Sequence, residues 1–242
     1  MKDQAAASAI LEASGSPISE IIRTRLWATG APYKANDNLA EYLMPGDLDR
    51  LQAEVEGKAL ALLHSLVIDT TNDPNTRDTA RRVAKMMVRE VFAGRYTERP
   101  DVTEFEGIRQ TDECTAIGPI TIRSCCAHHL VPITGHCWIG VIPNAESRTV
   151  IGLSKNHRLA EWIMARPQIQ EEAIEQLADE LESVIDNPRA LAVVIRAKHL
   201  CCGWRGVRDE ASLMTSSVMR GLFKEDPMAR QEFLALIAGM GY

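Results

Sequence analysis

The stretch ITIRSCCAHHLVPITGHCWIGVI, residues 120–142, is typical of two β-strands joined by a short turn. β-Branched and aromatic residues are frequent on both sides of the turn, as they are in strands. We therefore predict strands over 113–123 and 130–142. The connecting segment Ser124–His129 holds two thiols and two imidazoles. Because a turn can present side chains three positions apart toward one point, we expect Cys126 and His129 to lie close together.

A second group of thiols and imidazoles, His199–Cys202, follows another strand-like run. Residues two apart in an extended chain point to the same side, so His199 and Cys201 should share a face. Zinc accepts thiolate and imidazole ligands, and a catalytic zinc site usually has three protein ligands and one open position. Cys126, His129 and Cys201 would form such a set.

The doubled cysteines leave a second arrangement open. Cys125 or Cys202 could add a fourth ligand and close a structural zinc site. The two further histidines, His128 and His199, exceed what a closed tetrahedral site needs. Imidazoles beside a metal can move protons near neutral pH, which favours the catalytic interpretation.

Taken in order, the core elements are strand, strand, helix, helix, strand, strand. This order predicts an α+β fold in which an antiparallel ββααββ sheet carries its helices on one face. Apolar periodicity, caps and breakers place the helices before, within and after this core at about 18–27, 47–66, 78–92, 154–165, 167–185 and from 226 onward. The last two core strands are expected over 190–198 and 211–219. We predict three regions, namely an N-terminal arm over 1–45, a helical segment over 46–100 and a catalytic domain over 101–242.

Charge and composition exclude several classes of protein. The net charge is −6, which argues against a general nucleic-acid binder. The N-terminus does not resemble a secretory signal, and no apolar run approaches the about 20 residues that span a bilayer. These features predict a cytoplasmic protein that does not bind a membrane. In a reducing compartment, the six cysteines are expected to be free thiols or metal ligands.

Four motifs occur together in the order expected of one family. They are Cys126-x-His128-His129, Ile151-Gly152-Leu153-Ser154-Lys155, Arg166-Pro167-Gln168-Ile169-Gln170-Glu171 and His199-x-Cys201-x-x-x-Arg205-Gly206. Over about residues 60 to 240 the chain resembles GTP cyclohydrolase I. The resemblance implies the tunnelling fold, in which sheets of neighbouring subunits join into rings and two five-membered rings stack as a homodecamer. It also implies opening of the guanine imidazole ring of GTP, with release of formate and formation of 7,8-dihydroneopterin triphosphate, the first step of tetrahydrofolate and pterin biosynthesis.

The resemblance assigns the zinc ligands as Cys126, His129 and Cys201. It implies that His128 donates a proton to N7 of guanine and that His199 is an acid and base in the ribose steps. Water activated by the zinc ion would attack C8.

The same resemblance implies the substrate contacts. Glu171 would bind the pairing edge of guanine, with Gln170 beside it, because a carboxylate can accept two adjacent N–H groups. The triphosphate would be bound by Ser154, Lys155, Arg158, Arg205 and, from a neighbouring subunit, Arg82. Three residues depart from the common family pattern, namely Ala127, Cys202 and Ala80. The alternatives are another purine or pterin enzyme with the tunnelling fold and a non-catalytic oligomeric binding module stapled by zinc.

Overall fold

The computed structural model describes residues 15–102, 104–106, 113–144 and 149–241. The chain divides into two compact units, the first ending at Glu98 and the second beginning at Arg99. The three predicted regions stay a prediction, and residues 1–14 of the predicted arm lie outside the described residues. Among the helices that are described, none is both long and apolar enough to cross a membrane.

The N-terminal unit is helical. It contains α1 (Ile18–Thr29), a 3-10 turn (Ala40–Tyr42), α2 (Asp47–Ser65), α3 (Thr79–Lys85), a π-helical turn (Met86–Val91) and α4 (Ala93–Tyr96). Apolar side chains of α1 and α2, including Ile21, Leu26 and Leu51, are buried together. The helix predicted over 78–92 is present as α3 and the π-helical turn, but the helical chain does not end there. The N–H of Phe92 bonds to the carbonyl of Met87 five residues back, which widens the helix, and the chain continues into α4.

The C-terminal unit contains two sheets and five helices among the residues described. Its elements are β1 (Glu104–Glu106), β2 (Thr115–Cys126), β3 (Pro132–Ile142), β4 (Thr149–Ile151), α5 (Leu153–Met164), β5 (Pro167–Gln168), α6 (Gln170–Val184), β6 (Ala190–His199), α7 (Leu200–Gly203), β7 (Met214–Gly221), α8 (Leu222–Glu225) and α9 (Pro227–Ala238). Strands β1 and β4 pair with each other, and the main sheet has the order β5-β2-β3-β6-β7. The α+β prediction is confirmed, and so is the hairpin of β2 and β3.

The main sheet is mixed, so the prediction of a purely antiparallel sheet is wrong at one edge. Strand β5 runs parallel to the end of β2, where Cys126 pairs with Gln168. The N–H of Ala127 donates to the carbonyl of Gln168 at 3.0 Å, which holds this segment extended. Pro167 therefore lies in a strand, and α6 begins at Gln170 rather than at the proline.

Helices cover both faces of the main sheet, so the prediction of one helical face is also wrong. Alternate residues of β6 point to opposite sides. One set packs with α5 and α6, namely Leu191, Val193, Ile195 and Ala197. The other set packs with Phe233 of α9 and consists of Ala190, Ala192 and Val194. Gly140 makes room for Phe233, because a Cβ at Gly140 would lie 2.5 Å from the aromatic ring.

Candidate metal centre and active site

The turn after β2 brings Cys126 and His129 to the end of the main sheet. The carbonyl of Cys126 accepts from the N–H of Leu130 at 2.8 Å, and the N–H of Cys126 donates to the carbonyl of Val131 at 2.8 Å. Leu130 has a φ of 53°, the left-handed conformation that reverses the chain. Cys126 is buried as the last residue of β2, whereas His129 is exposed in the turn. The two side chains therefore converge because the turn is closed by backbone hydrogen bonds.

The third member of the group comes from the other side of β3. Strand β6 pairs with β3 so that His199 lies opposite Ile133, near the start of β3. The short helix α7 follows directly and carries Cys201. Pairing of β3 with β6 thus places α7 beside the turn, which no spacing along the chain could establish.

The sulfur atoms of Cys126 and Cys201 and a ring nitrogen of His129 all lie within 4.8 Å of one another. Two thiols and one imidazole are the donors that zinc prefers, with bonds of about 2.0–2.3 Å. The three residues therefore fit a metal ion. Neither Cys125 nor Cys202 belongs to this group, so far as the described residues are concerned.

The two adjacent cysteine pairs, Cys125–Cys126 and Cys201–Cys202, contain thiols whose pKa is raised by burial. Cys125 is buried, and burial raises the pKa of its thiol to about 11. Burial also raises the pKa of the Cys201 thiol, and a hydrogen bond with Cys126 adds to the effect. A thiol must lose its proton to bind a metal, so metal binding at Cys201 would release a proton.

His128 is exposed in the same turn. Its Nδ1 lies 3.9 Å from Sγ of Cys126, and its ring meets that of His129 edge to face with centroids 6.3 Å apart. His128 is not among the three residues whose ligand atoms converge. Its imidazole is adjacent to the candidate metal site without belonging to it.

His199 is held by a buried amide. Its Nε2 lies 2.8 Å from Oε1 of Gln170, which has 1% of its surface exposed. Since an amide oxygen can only accept, Nε2 of His199 carries the proton. The Gln170 NH₂ group lies 3.1 Å from Oγ of Ser216 and 3.3 Å from the carbonyls of Ile195 and Met214. Burial lowers the pKa of His199, and the carboxylate of Glu171 acts in the opposite direction.

The network around Gln170 was missed by sequence reasoning. Gln170 was expected to lie beside the substrate, but its side chain is buried and its polar atoms bond to protein groups. Ser216 was not predicted to contribute to the site at all. These residues are 46 positions apart, and a serine in a strand gives no local signal of such a role.

The predicted substrate residues fall into three places. Glu171 is exposed in the first turn of α6, close enough to affect the pKa of His199. Arg205 donates from its guanidinium to Nε2 of His129 at 3.1 Å. The remaining residues lie on helices, with Ser154, Lys155 and Arg158 in the first turns of α5 and Arg82 exposed on α3 of the N-terminal unit.

Fold and site together define a class of protein. The C-terminal unit is an α+β domain with a Cys-His-Cys group that could hold a metal ion at the end of a hairpin. The imidazole of His128 lies next to this group, and His199 precedes Cys201 by two residues. A group of this composition with an open fourth position is the arrangement of catalytic rather than closed structural metal sites.

Comparison with known proteins gives the family. The model of the family described as GTP cyclohydrolase I matches residues 55–238. The chain is 40% identical over 185 residues to GTP cyclohydrolase 1 of Mycolicibacterium vanbaalenii, covering 75% of this chain and 90% of that protein. It is 39% identical to the protein of the same name from Mycolicibacterium gilvum, over 83% of this chain and 96% of the relative. For Aeromonas salmonicida the identity is 36%, over 77% and 84%.

The chain belongs to the GTP cyclohydrolase I family and is a hydrolase. The resemblance stated from the four sequence motifs is therefore confirmed. Membership of an enzyme family sets aside the alternative of a non-catalytic binding module.

Proposed function

We propose that the protein opens the imidazole ring of the guanine in GTP by hydrolysis, releases formate and forms 7,8-dihydroneopterin triphosphate. The observation that carries the proposal is the convergence of Cys126, His129 and Cys201, with His128 beside Cys126 and His199 two residues before Cys201. Ring opening at C8 needs an activated water and groups that transfer protons to the ring nitrogen and the ribose. The site contains residues suited to each task. The reaction is the first step toward tetrahydrofolate and other pterins.

Zinc is the proposed metal, and its ligands are Cys126, His129 and Cys201. The combination of two soft sulfurs and one imidazole supports zinc over the oxygen-binding cations. When bound, zinc would supply an activated water for attack on C8 of the guanine. The protein contributes the position of the three ligands, which the β2–β3 turn and helix α7 hold at one end of the sheet.

Two histidines are the proposed acid and base groups. His128 is exposed next to the metal ligands, where its ring can approach the substrate and donate a proton to N7. His199 has its Nε2 proton bonded to Gln170, so its Nδ1 is the nitrogen free to accept a proton during the ribose steps. The hydrogen bond also fixes the plane of the ring.

Guanine recognition is assigned to Glu171. Its carboxylate is exposed near His199 and can accept hydrogen bonds from the adjacent N1–H and N2–H groups of the base. Gln170, next to Glu171, fixes the position of His199 by a hydrogen bond. A direct contact of the Gln170 side chain with the substrate would require its hydrogen bonds to His199 and to the carbonyl of Ile195 to be replaced by bonds to the substrate.

The triphosphate is assigned to a cluster of cations and a hydroxyl. Lys155 and Arg158 lie in the first turns of α5, where the helix N-terminus also attracts anions, and Ser154 offers a hydroxyl there. Arg205 adds a guanidinium next to His129. Arg82 is proposed to reach the phosphates of a neighbouring subunit. This local cluster reconciles an acidic chain with a polyanionic substrate.

We propose that the protein assembles as a homodecamer of two five-membered rings. The support within one chain is that β7 pairs only with β6 among the described strands, which leaves its other edge available to a strand of a neighbouring subunit. A cytoplasmic location is part of the proposal. It is supported by six cysteines that are all free thiols.

A turnover assay tests the proposed chemistry. Zinc-loaded protein mixed with GTP should release formate and yield a pterin that fluoresces after oxidation, and a chelator should stop both until zinc is restored. The matched variants are Cys201→Ser and Cys202→Ser, which change neighbouring thiols of α7. We expect the first to lose zinc and turnover and the second to keep both. Absence of formate from protein with stoichiometric zinc would refute the reaction, and zinc loss in Cys202→Ser would refute the ligand assignment. Release of another purine or pterin product would favour a different tunnelling-fold enzyme.

A further inference from the structure

A large aromatic side chain is exposed directly after α7. Trp204 has 72% of its surface exposed. Among the phenylalanine, tyrosine and tryptophan residues of the C-terminal unit whose burial is described, it is the only exposed one. Single apolar side chains are common on protein surfaces, so exposure alone does not give Trp204 a role. Its position relative to the Cys-His-Cys group does.

The backbone places Trp204 close to Cys201. The N–H of Trp204 donates to the carbonyl of Leu200 at 3.0 Å, and its own φ of −81° and ψ of −29° are helical. The helical geometry of α7 therefore extends to Trp204. Residues three apart on a helix have their Cβ atoms about 5–6 Å apart, and helical side chains lean toward the preceding turn. The indole can thus reach over Cys201, a member of the Cys-His-Cys group.

The residue after Trp204 reaches the same group from the chain's next position. Arg205 donates to Nε2 of His129 at 3.1 Å. Cys201 contributes to the Cys-His-Cys group and Arg205 contacts it, and Trp204 lies between these two residues in the chain. The indole is therefore attached at the edge of the candidate active site.

The other segment that supplies the group also presents an apolar side chain to solvent. Leu130 follows His129 in the turn after β2 and is 49% exposed. Each of the two segments thus carries an exposed apolar side chain next to a potential metal ligand. Aromatic and apolar side chains line most sites that bind small organic molecules, and a few polar groups fix the orientation of the ligand. A flat base can cover such a surface, whereas a triphosphate cannot.

We propose that Trp204 binds the guanine base of the substrate by stacking its indole on one face of the purine. This inference rests on the proposed function, in which Glu171 binds the pairing edge of guanine and C8 faces the metal centre. Those contacts are made to the edges of the base and leave its two faces uncovered. Aromatic rings stack in offset arrangements without reading hydrogen-bond donors, so Trp204 adds affinity and Glu171 adds discrimination between bases.

Fluorescence and calorimetric titrations of zinc-loaded protein test the stacking, with GMP and CMP as probes. The two nucleotides share the ribose and the phosphate and differ only in the base. The test variants are W204F, which keeps an aromatic ring, and W204A, which removes it. The chain has four tryptophans, so W204F retains three indoles that report any general change in fluorescence. The matched control is M228A, which removes an apolar side chain that is 71% exposed on α9.

We expect GMP to quench the fluorescence of the unchanged protein and CMP to quench it only at higher concentration. W204F should bind GMP with a similar Kd while the quenching is lost. In W204A, Kd for GMP and KM for GTP should both rise at least about fivefold, with little change in kcat. M228A should bind GMP like the unchanged protein. The thermal unfolding of W204A should also be unchanged, because the indole is exposed.

The proposal is overturned if GMP does not quench the unchanged protein or quenches W204F to the same extent. It is also overturned if W204A binds GMP like the unchanged protein, or if kcat falls while KM stays constant. Failure of the unchanged protein to turn over GTP would refute the proposed function. Quenching by GMP that depends on Trp204 would then still show that the indole stacks on guanine.

Discussion

Replacing Gln170 by leucine removes a buried amide while keeping a similar volume. Its Oε1 is the partner of His199 at 2.8 Å, and its NH₂ group serves Ser216 and the carbonyls of Ile195 and Met214. One buried group left unpaired costs about 1–3 kcal/mol, so loss of the His199 partner and of one acceptor partner should destabilise the fold by about 2–6 kcal/mol. A free energy of unfolding above about 6 kcal/mol, within the typical range of about 5–15 kcal/mol, leaves the variant folded at moderate temperature.

The effect on turnover should exceed the effect on substrate binding. A positioned acid or base contributes about 100-fold to 10,000-fold to a rate, so we expect kcat to fall at least about 100-fold when the His199 ring loses its hydrogen bond. KM for GTP should change little, because the Gln170 side chain is buried. Gln170→Glu keeps an acceptor for His199 but loses the NH₂ donor, so its kcat should lie between those of the leucine variant and the unchanged protein.

Steady-state kinetics and denaturant unfolding measure both effects. Gln231→Leu is the matched control, since Gln231 is exposed on α9 and the same change there should alter neither quantity. If Gln170→Leu raises KM while kcat stays unchanged, the amide binds substrate and the positioning role is wrong. An unchanged free energy of unfolding would show that the hydrogen bonds of Gln170 do not stabilise the fold.

Three further changes test separate parts of the structure. His128→Ala should keep its zinc by elemental analysis while kcat falls about 100-fold or more, and loss of the metal would make His128 a ligand. Gly140→Ala should destabilise the fold by about 1–3 kcal/mol, because the new Cβ meets the Phe233 ring at 2.5 Å. Gly57→Ala in α2, where a Cβ has nothing within 4 Å, should stabilise the fold by about 0.4–1 kcal/mol. Equal free energies of unfolding for the two variants in urea would refute this packing. Burial raises the pKa of the Cys137 thiol to about 12 from an ordinary 9.0, so its contribution to stability is complete below pH 9.0 and falls as the pH rises toward 12. In Cys137→Ala, the free energy of unfolding should fall less steeply between pH 7 and pH 10 than in the unchanged protein. An equal slope in both proteins would show that the Cys137 thiol does not cause the loss of stability.

Local sequence signals predicted most of the elements because their physical causes are local. The apolar run over 190–198 predicted a strand, which the structure confirms as β6 (Ala190–His199). Asp226 and Pro227 predicted the start of α9, where the Asp226 carboxylate accepts from the N–H of Met228 at 2.8 Å. The two-residue strand at Pro167 was missed, since so short a segment has no periodicity and is extended only because it pairs with β2.

The sequence by itself determined which chemical groups are available and which family the chain belongs to. The thiols of Cys126 and Cys201 and the imidazole of His129 are groups that can bind a metal ion, and this side-chain chemistry does not depend on the fold. Only the tertiary structure decided how these groups meet. Pairing of β3 with β6 brings the turn and α7 together, and packing places the buried amide of Gln170 against His199. Such contacts join residues far apart in the chain, so strand register and packing fix them and no local pattern records them.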